Sequence, residues 1–162
     1  MSKTDIEQAL KHFKTTDLVM HQLLLDGLTA DNPIALPTEK APREYFASIV
    51  SSIISQQIST KAADAVRERV VTKLGGSITP KRVHSVPFEE LKACGLSHQK
   101  TKYIKHNADV WPEIPYRDFG HMSDEAVIAE LTKLYGIGRW TAEMFLMFSL
   151  ARPNVFSYGD LG

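Results

Sequence analysis

The chain has 162 residues, of which 43% are hydrophobic and 23% charged, so it suits one folded domain with a core and excludes a disordered chain. No apolar run is long enough to span a membrane or to form a signal peptide, and the single cysteine, Cys94, excludes disulfides and cysteine-based metal sites. Lys and Arg number 19, as do Asp and Glu, so the net charge does not by itself indicate a nucleic-acid binder.

Apolar residues recur at helical spacing through most of the chain, with Ser, Thr, Pro and Gly where such helices would begin and end. The predicted helices run from Phe46 to Ile54, from Ser59 or Thr60 to Gly75, from Thr79 over a short stretch, from Pro87 to Gly95, from Ser97 to Trp111, from Ser123 to Leu134, and from Trp140 to Pro153. No alternating strand pattern of useful length occurs, so we predict an all-α fold. We interpret residues 1–42 as an N-terminal helical segment with a proline-containing connector, and residues 43–162 as the main domain.

The stretch that starts at Leu134 is the most informative part of the sequence. It reads L-Y-G-I-G-R-W-T-A, and V-F-S-Y-G-D follows about one helix later. Glycines at 136 and 138 permit a tight turn and a close approach of the backbone to another surface. A helix that starts behind such a turn offers unpaired amide groups, which suit phosphate oxygens. The G-x-G alone is weak evidence for such a phosphate-binding turn, but its combination with R-W-T-A and the downstream carboxylate is strong evidence.

With this stretch, the segments F-A-S-I-V-S-S-I-I-S-Q-Q-I-S-T-K-A-A (46–63) and L-K-A-C-G-L-S-H-Q-K-T-K-Y-I (91–104) make residues 40–162 resemble the helix-hairpin-helix (HhH-GPD) DNA glycosylases. The likeness is greatest to the 3-methyladenine glycosylase II, or alkylation-repair, group. This resemblance implies a monofunctional glycosylase that flips alkylated purines out of damaged double-stranded DNA and hydrolyses their N-glycosidic bond. It implies no cofactor, a monomer at full length, and a place at the bacterial nucleoid or in a eukaryotic nucleus.

The resemblance assigns the catalytic role to Asp160, whose carboxylate would stabilise the developing charge on the sugar and orient the attacking water. The alternative is that Asp160 only caps a following helix. Trp140 stands where related bifunctional enzymes carry a nucleophilic lysine, so lyase chemistry is not expected. Trp140 would instead stack on the flipped base, in a base pocket shared with Met144 and Tyr158; the alternative is an ordinary buried tryptophan.

Further residues are assigned to DNA by the same resemblance. Gln57 is in the place of the wedge that fills the gap left by a flipped base, although a polar loop without contacts is the alternative. Phosphates would be held at the hairpin and at a second helix start, by Gly136, Ile137, Gly138, Arg139, Thr141 and Lys100; for Lys100 a solvated basic helix start is the alternative. The backbone carbonyls of Thr132, Leu134 and Ile137 would hold a structural Na⁺ or K⁺ ion.

Other functions stay open at this point. A non-catalytic helix-hairpin-helix module that grips DNA would need the hairpin but has no reason to carry the downstream aspartate. A glycosylase for another lesion would share every motif. Because the family continues beyond Gly162, we also expect a fold without its C-terminal helix or helices. The apolar stripes at Ile128/Leu131 and Phe145/Leu146 would then lack cover.

Overall fold

A computed structural model of the chain describes residues 3–29 and 37–159. Within them the regular structure is helical and contains no strand, which confirms the predicted all-α class. The chain divides into two compact units, residues 1–38 and 39–162. The predicted domain boundary after residue 42 stays a prediction, and residues 30–36 of the predicted connector lie outside the described residues. None of the described helices has the length and apolar character needed to cross a membrane.

The described part of the first unit is a pair of helices, and that of the second unit is seven helices with two 3₁₀ turns. The first pair is α1 (Lys3–Thr16) and α2 (Leu18–Thr29). The second unit contains α3 (Pro42–Ser55), α4 (Thr60–Lys73), α5 (Pro80–Ser85), α6 (Phe88–Lys92), α7 (His98–Val110), α8 (Asp124–Leu131) and α9 (Arg139–Phe148). The 3₁₀ turns span Trp111–Glu113 and Tyr116–His121, between α7 and α8.

Most helix starts lie where the caps predict them. The side-chain oxygens of Ser59, Thr79, Ser97 and Ser123 each accept a hydrogen bond from a backbone amide three residues further on. Of the two candidates for the start of α4, Ser59 is therefore the cap. Each such bond satisfies an amide that the helix itself leaves unpaired, and so fixes where the helix begins.

The core of the second unit is built around α3. Tyr45 packs edge-on against Phe145 with ring centroids 5.2 Å apart, and Phe46 packs against Trp111 at 5.3 Å. The two stripes expected to lack cover, Ile128/Leu131 and Phe145/Leu146, are all buried here, so that expectation is wrong. The reason is that α9 packs against both α8 and α3, and these side chains lie in the common core.

The last described helix ends earlier than predicted, at Phe148 rather than near Pro153. Ala151 takes a φ of 52°, the left-handed conformation that commonly terminates a helix. The amides of Leu150 and Arg152 turn back to the carbonyls of Phe145 and Leu146, at 3.2 and 3.0 Å. The chain therefore leaves α9 in a sharp turn, and residues 153–159 run as an irregular segment beside it.

Candidate functional site

The predicted hairpin joins α8 to α9, and Gly136 is the residue that shapes it. Gly136 has a φ of 77°, and a Cβ atom built on it would lie 2.8 Å from Cε2 of Tyr103. Both the conformation and the space therefore require glycine. Ile137 is buried, so its side chain packs into the core and does not reach outward.

A side chain that the sequence reading missed holds this turn in place. Asn107 on α7 is fully buried; its Nδ2 donates to the Tyr135 carbonyl at 2.9 Å, and its Oδ1 accepts from the Tyr135 amide at 2.8 Å. Its partner is 28 residues away in the chain, so no local pattern could have revealed the contact. The polar atoms of Asn107 are thus used to position the backbone of the hairpin.

Gly138 precedes α9 and, unlike Gly136, occupies a position that other residues could also adopt. Its φ of −92° suits any residue, and a Cβ built there would meet nothing within 4 Å. No side chain among the described residues caps the start of α9, so the helix leaves its first amides without a capping partner there. Glycine at this position is therefore not needed by the fold itself.

Arg139, predicted to bind phosphate, is engaged in ion pairs in this structure. Its guanidinium donates two hydrogen bonds to the carboxylate of Glu125, and its Nε donates to Glu143 at 3.0 Å. The bond from Arg139 holds the pKa of Glu125 below its ordinary value. Arg139 thus links α8 to α9, and its charge is already balanced by two carboxylates.

A cleft with a volume of about 1050 Å³ lies between α3 and α9. Three of the residues assigned to the base pocket or the wedge, Trp140, Met144 and Gln57, line it together. Trp140 is 47% exposed, so the alternative of an ordinary buried tryptophan is wrong. Thr141 also lines the cleft, although it is buried rather than presented to a phosphate.

The opposite wall of this cleft was not anticipated from the sequence. It consists of hydroxyl-bearing residues along one face of α3, Ser48, Ser51, Ser52 and Ser55. The sequence could have indicated that these serines share a face of α3, because they alternate with its buried apolar residues at helical spacing. The cleft therefore places an aromatic ring and a thioether on one side and small hydrogen-bonding groups on the other.

The proposed catalyst, Asp160, lies outside the described residues. The segment that leads to it is held against α9, because Ser157 Oγ donates to Glu143 Oε2 at 2.7 Å, and the side chain of Glu143 is only 13% exposed. Tyr158, predicted in the base pocket, is 94% exposed, packs edge-on against Phe156, and does not line the cleft.

The loop after α3 carries the predicted wedge. Gln57 is exposed and has a φ of 58°, a left-handed conformation that is uncommon for a residue other than glycine. Lys100, predicted to bind phosphate, donates from Nζ to the carbonyls of Ile54 at 2.8 Å and Gln56 at 2.7 Å. Burial lowers the pKa of Lys100. The ammonium group of Lys100 therefore holds the end of α3 and the loop.

The carbonyls predicted to hold a monovalent cation lie at the end of α8 and in the hairpin. Thr132 caps the C-terminal end of α8, and the Leu134 carbonyl accepts the amide of Ile137 at 3.2 Å. Within the described ranges, no cluster of His, Cys, Asp and Glu side chains is arranged to bind a metal ion.

Comparison with protein families gives a match to the HhH-GPD superfamily base excision DNA repair protein over residues 50–162. DNA-3-methyladenine glycosylase 1 of Schizosaccharomyces pombe is 36% identical over 124 residues, covering 74% of this chain and 54% of that protein. DNA-3-methyladenine glycosylase of Saccharomyces cerevisiae is 39% identical over 131 residues, covering 74% of this chain and 44% of that protein. The chain thus spans about half the length of these curated relatives.

Solved structures give the same picture. A DNA-3-methyladenine glycosidase from Bacillus halodurans superposes with a TM-score of 0.72 and 41% identity, covering 80% of this chain and 59% of that one. The 3-methyladenine DNA glycosylase of S. pombe, solved in complex with abasic DNA, superposes with a TM-score of 0.73 and 31% identity, covering 95% of this chain and 75% of that one.

Proposed function

The chain belongs to the HhH-GPD superfamily of base excision DNA repair proteins, and from that premise we propose that it is a monofunctional DNA glycosylase for alkylated purines. In this reaction the damaged nucleotide leaves the duplex, its base enters the cleft between α3 and α9, and water replaces the base at the sugar carbon. The partner is double-stranded DNA that contains damaged bases.

The observation that carries the proposal is the cleft, with the half-exposed indole of Trp140 at the start of α9. An aromatic face that is open to the cleft stacks on a purine and attracts a positively charged alkylated base more than a neutral one. The added cation–π attraction is about 0.5–2 kcal/mol. The serine hydroxyls of α3 supply hydrogen-bond acceptors on the opposite wall, since Ser52 and Ser55 donate their own protons to carbonyls of α3.

The hairpin is the proposed grip on the DNA backbone. Gly138 has neither a conformation nor a neighbour that requires glycine, so the missing side chain serves an outside partner. A phosphate that approaches here meets the uncapped amides at the start of α9, and the positive end of the helix dipole favours its charge. Arg139 adds little, because Glu125 and Glu143 already balance its guanidinium.

Hydrolysis is proposed to depend on Asp160, which orients the attacking water and stabilises the positive charge on the sugar. An alkylated base is a good leaving group, because its departure neutralises its own positive charge. Trp140 stands where bifunctional relatives carry the nucleophilic lysine, and residues 134–162 contain no lysine that could form a covalent intermediate with the sugar. Base release should therefore leave the strand intact.

A Na⁺ or K⁺ ion at the hairpin is part of the proposal. The carbonyls at the end of a helix lack intrahelical partners, so that of Thr132, the C-cap of α8, fits a hard cation that prefers oxygen ligands. The Leu134 carbonyl accepts the Ile137 amide and keeps a second lone pair for such an ion. Ile137 would contribute a third carbonyl. Such an ion would brace the turn that contacts the phosphate.

The test is release of methylated bases from alkylated duplex DNA, measured by chromatography, with strand nicking followed on the same samples. The expected result is release of 3-methyladenine without nicking and without a protein–DNA adduct after borohydride treatment. A matched variant, Trp140→Leu, keeps an apolar side chain but removes the π face, and should reduce release of cationic bases more than release of neutral ones. An adduct trapped by borohydride would contradict the monofunctional assignment.

A further inference from the structure

We propose that Gln56 is a positioning residue, which joins the loop carrying Gln57 to the hairpin so that base extrusion and phosphate binding act on one rigid body. This inference rests on the proposed function, because it concerns how the same site opens a duplex.

Gln56 forms hydrogen bonds through both its side chain and its backbone. Its side-chain Nε2 donates to the Gly136 carbonyl at 2.8 Å, across 80 residues of chain. Its backbone carbonyl accepts from Lys100 Nζ at 2.7 Å, and the same ammonium group donates to Ile54 at 2.8 Å. The end of α3, the start of α7 and the hairpin therefore meet at this residue.

The loop needs such a brace because of the conformation that it holds. Gln57 has a φ of 58°, which is costly for an L residue and persists only where neighbouring contacts hold it. The contacts of Gln56 are adjacent to it in the chain and supply that constraint. Gln57 itself is exposed and stays available to enter the space that a flipped nucleotide leaves.

A mechanical consequence follows from the position of the acceptor. Gly136 is the residue at the bend of the hairpin, two positions before Gly138, where an added Cβ would meet nothing within 4 Å and where the phosphate is proposed to bind. When a phosphate is bound at the hairpin, the hydrogen bond from Gln56 to Gly136 therefore fixes the distance between the wedge loop and the DNA strand. Without this bond the loop that carries Gln57 can move away from the stacked bases. Part of the binding free energy is then no longer available to extrude the nucleotide.

The decisive variant is Gln56→Met, which keeps the length of the side chain and removes its donor without adding charge. Gln8→Met, at an exposed position of α1, is the matched control. Extrusion is measured with 2-aminopurine at the target position, whose fluorescence rises on unstacking, in a paired duplex and in the same sequence with the nucleotide unpaired. Binding of undamaged duplex and the unfolding temperature are measured on the same preparations.

Gln56→Met should lower extrusion from the paired duplex roughly three- to tenfold, as expected for loss of one hydrogen bond. The loss on the unpaired duplex should be under about twofold, because unpairing removes most of the work of extrusion. Binding of undamaged duplex should change less than about twofold. Equal losses on paired and unpaired DNA, or no loss on either, would contradict the positioning role.

A second variant approaches the same loop from the other side. Lys100→Met removes the ammonium group that binds the carbonyls of Ile54 and Gln56. Like Gln56→Met, it should lower extrusion from the paired duplex more than from the unpaired duplex. A uniform loss of binding to all duplexes with a lower salt dependence would instead make Lys100 a phosphate contact and contradict its place in the brace. Neither readout requires base release, so a chain that opens DNA but releases no base contradicts the proposed function alone.

Discussion

The hairpin glycines offer the sharpest test of how this site is built, because Gly136 and Gly138 should respond to the same substitution in different ways. Gly136→Ala places a Cβ at a φ of 77° and 2.8 Å from Cε2 of Tyr103. The left-handed conformation costs an L residue about 1–2 kcal/mol. Forcing the half-buried Tyr103 ring aside adds about 1–3 kcal/mol, as in other overpacked sites. The free energy of unfolding should therefore fall by about 2–5 kcal/mol.

Gly138→Ala is the matched control, since its φ of −92° is ordinary and its Cβ would meet nothing within 4 Å. Its free energy of unfolding should stay within about 1 kcal/mol of wild type, because reduced freedom of the unfolded chain offsets a poorer helix cap. Its affinity for duplex DNA should nevertheless fall, since the methyl group intrudes where the phosphate approaches. Urea unfolding and a binding titration measure the two effects. A Gly136→Ala protein as stable as wild type, or a Gly138→Ala protein that binds DNA normally, would refute this account of the hairpin.

Three further predictions concern the contacts around the hairpin and α9. Asn107→Ala should lower the free energy of unfolding by about 2–4 kcal/mol in urea titrations, because it empties a buried side-chain position and removes both hydrogen bonds to the Tyr135 backbone; an effect below about 1 kcal/mol would show that water replaces the side chain. Ser157→Ala should speed amide exchange in residues 153–159 while sparing α9, since it removes the bond to Glu143; unchanged exchange would contradict that anchor. The Glu125 carboxyl should titrate below its ordinary range by NMR, and its pairing with Arg139 should be lost as the pH falls through the lowered pKa; Arg139→Met should return the pKa to its ordinary range.

The sequence predicted the parts of this fold that depend on neighbouring residues. Capping by Ser97 and Ser123, and the buried stripe of α3, arise from contacts three or four residues apart, so spacing alone reveals them. Family resemblance added the hairpin and the aromatic residue at its cleft, which no periodicity identifies.

The parts that escaped prediction depend on contacts distant in the chain. Asn107 reaches Tyr135 across 28 residues, and Gln56 reaches Gly136 across 80. A polar residue in such a bond looks in sequence like any solvated side chain. For the same reason Lys100 was assigned to phosphate, although its ammonium group is bonded to carbonyls of the protein. The early end of α9 depends on the positive φ of Ala151, a residue type that normally favours helix.

The central claim is that this chain carries a carboxylate-assisted glycosylase site, and Asp160→Asn tests it most directly. The substitution keeps the size of the side chain and removes its charge, so binding to DNA that contains a stable abasic site should stay within about twofold of wild type. Single-turnover release of 3-methyladenine from duplex DNA should fall about a hundredfold or more, as expected when a general base and charge stabiliser is lost. A variant that retains more than about a tenth of the wild-type rate, equivalent to a loss under about 1.4 kcal/mol, would place the catalytic function on another residue.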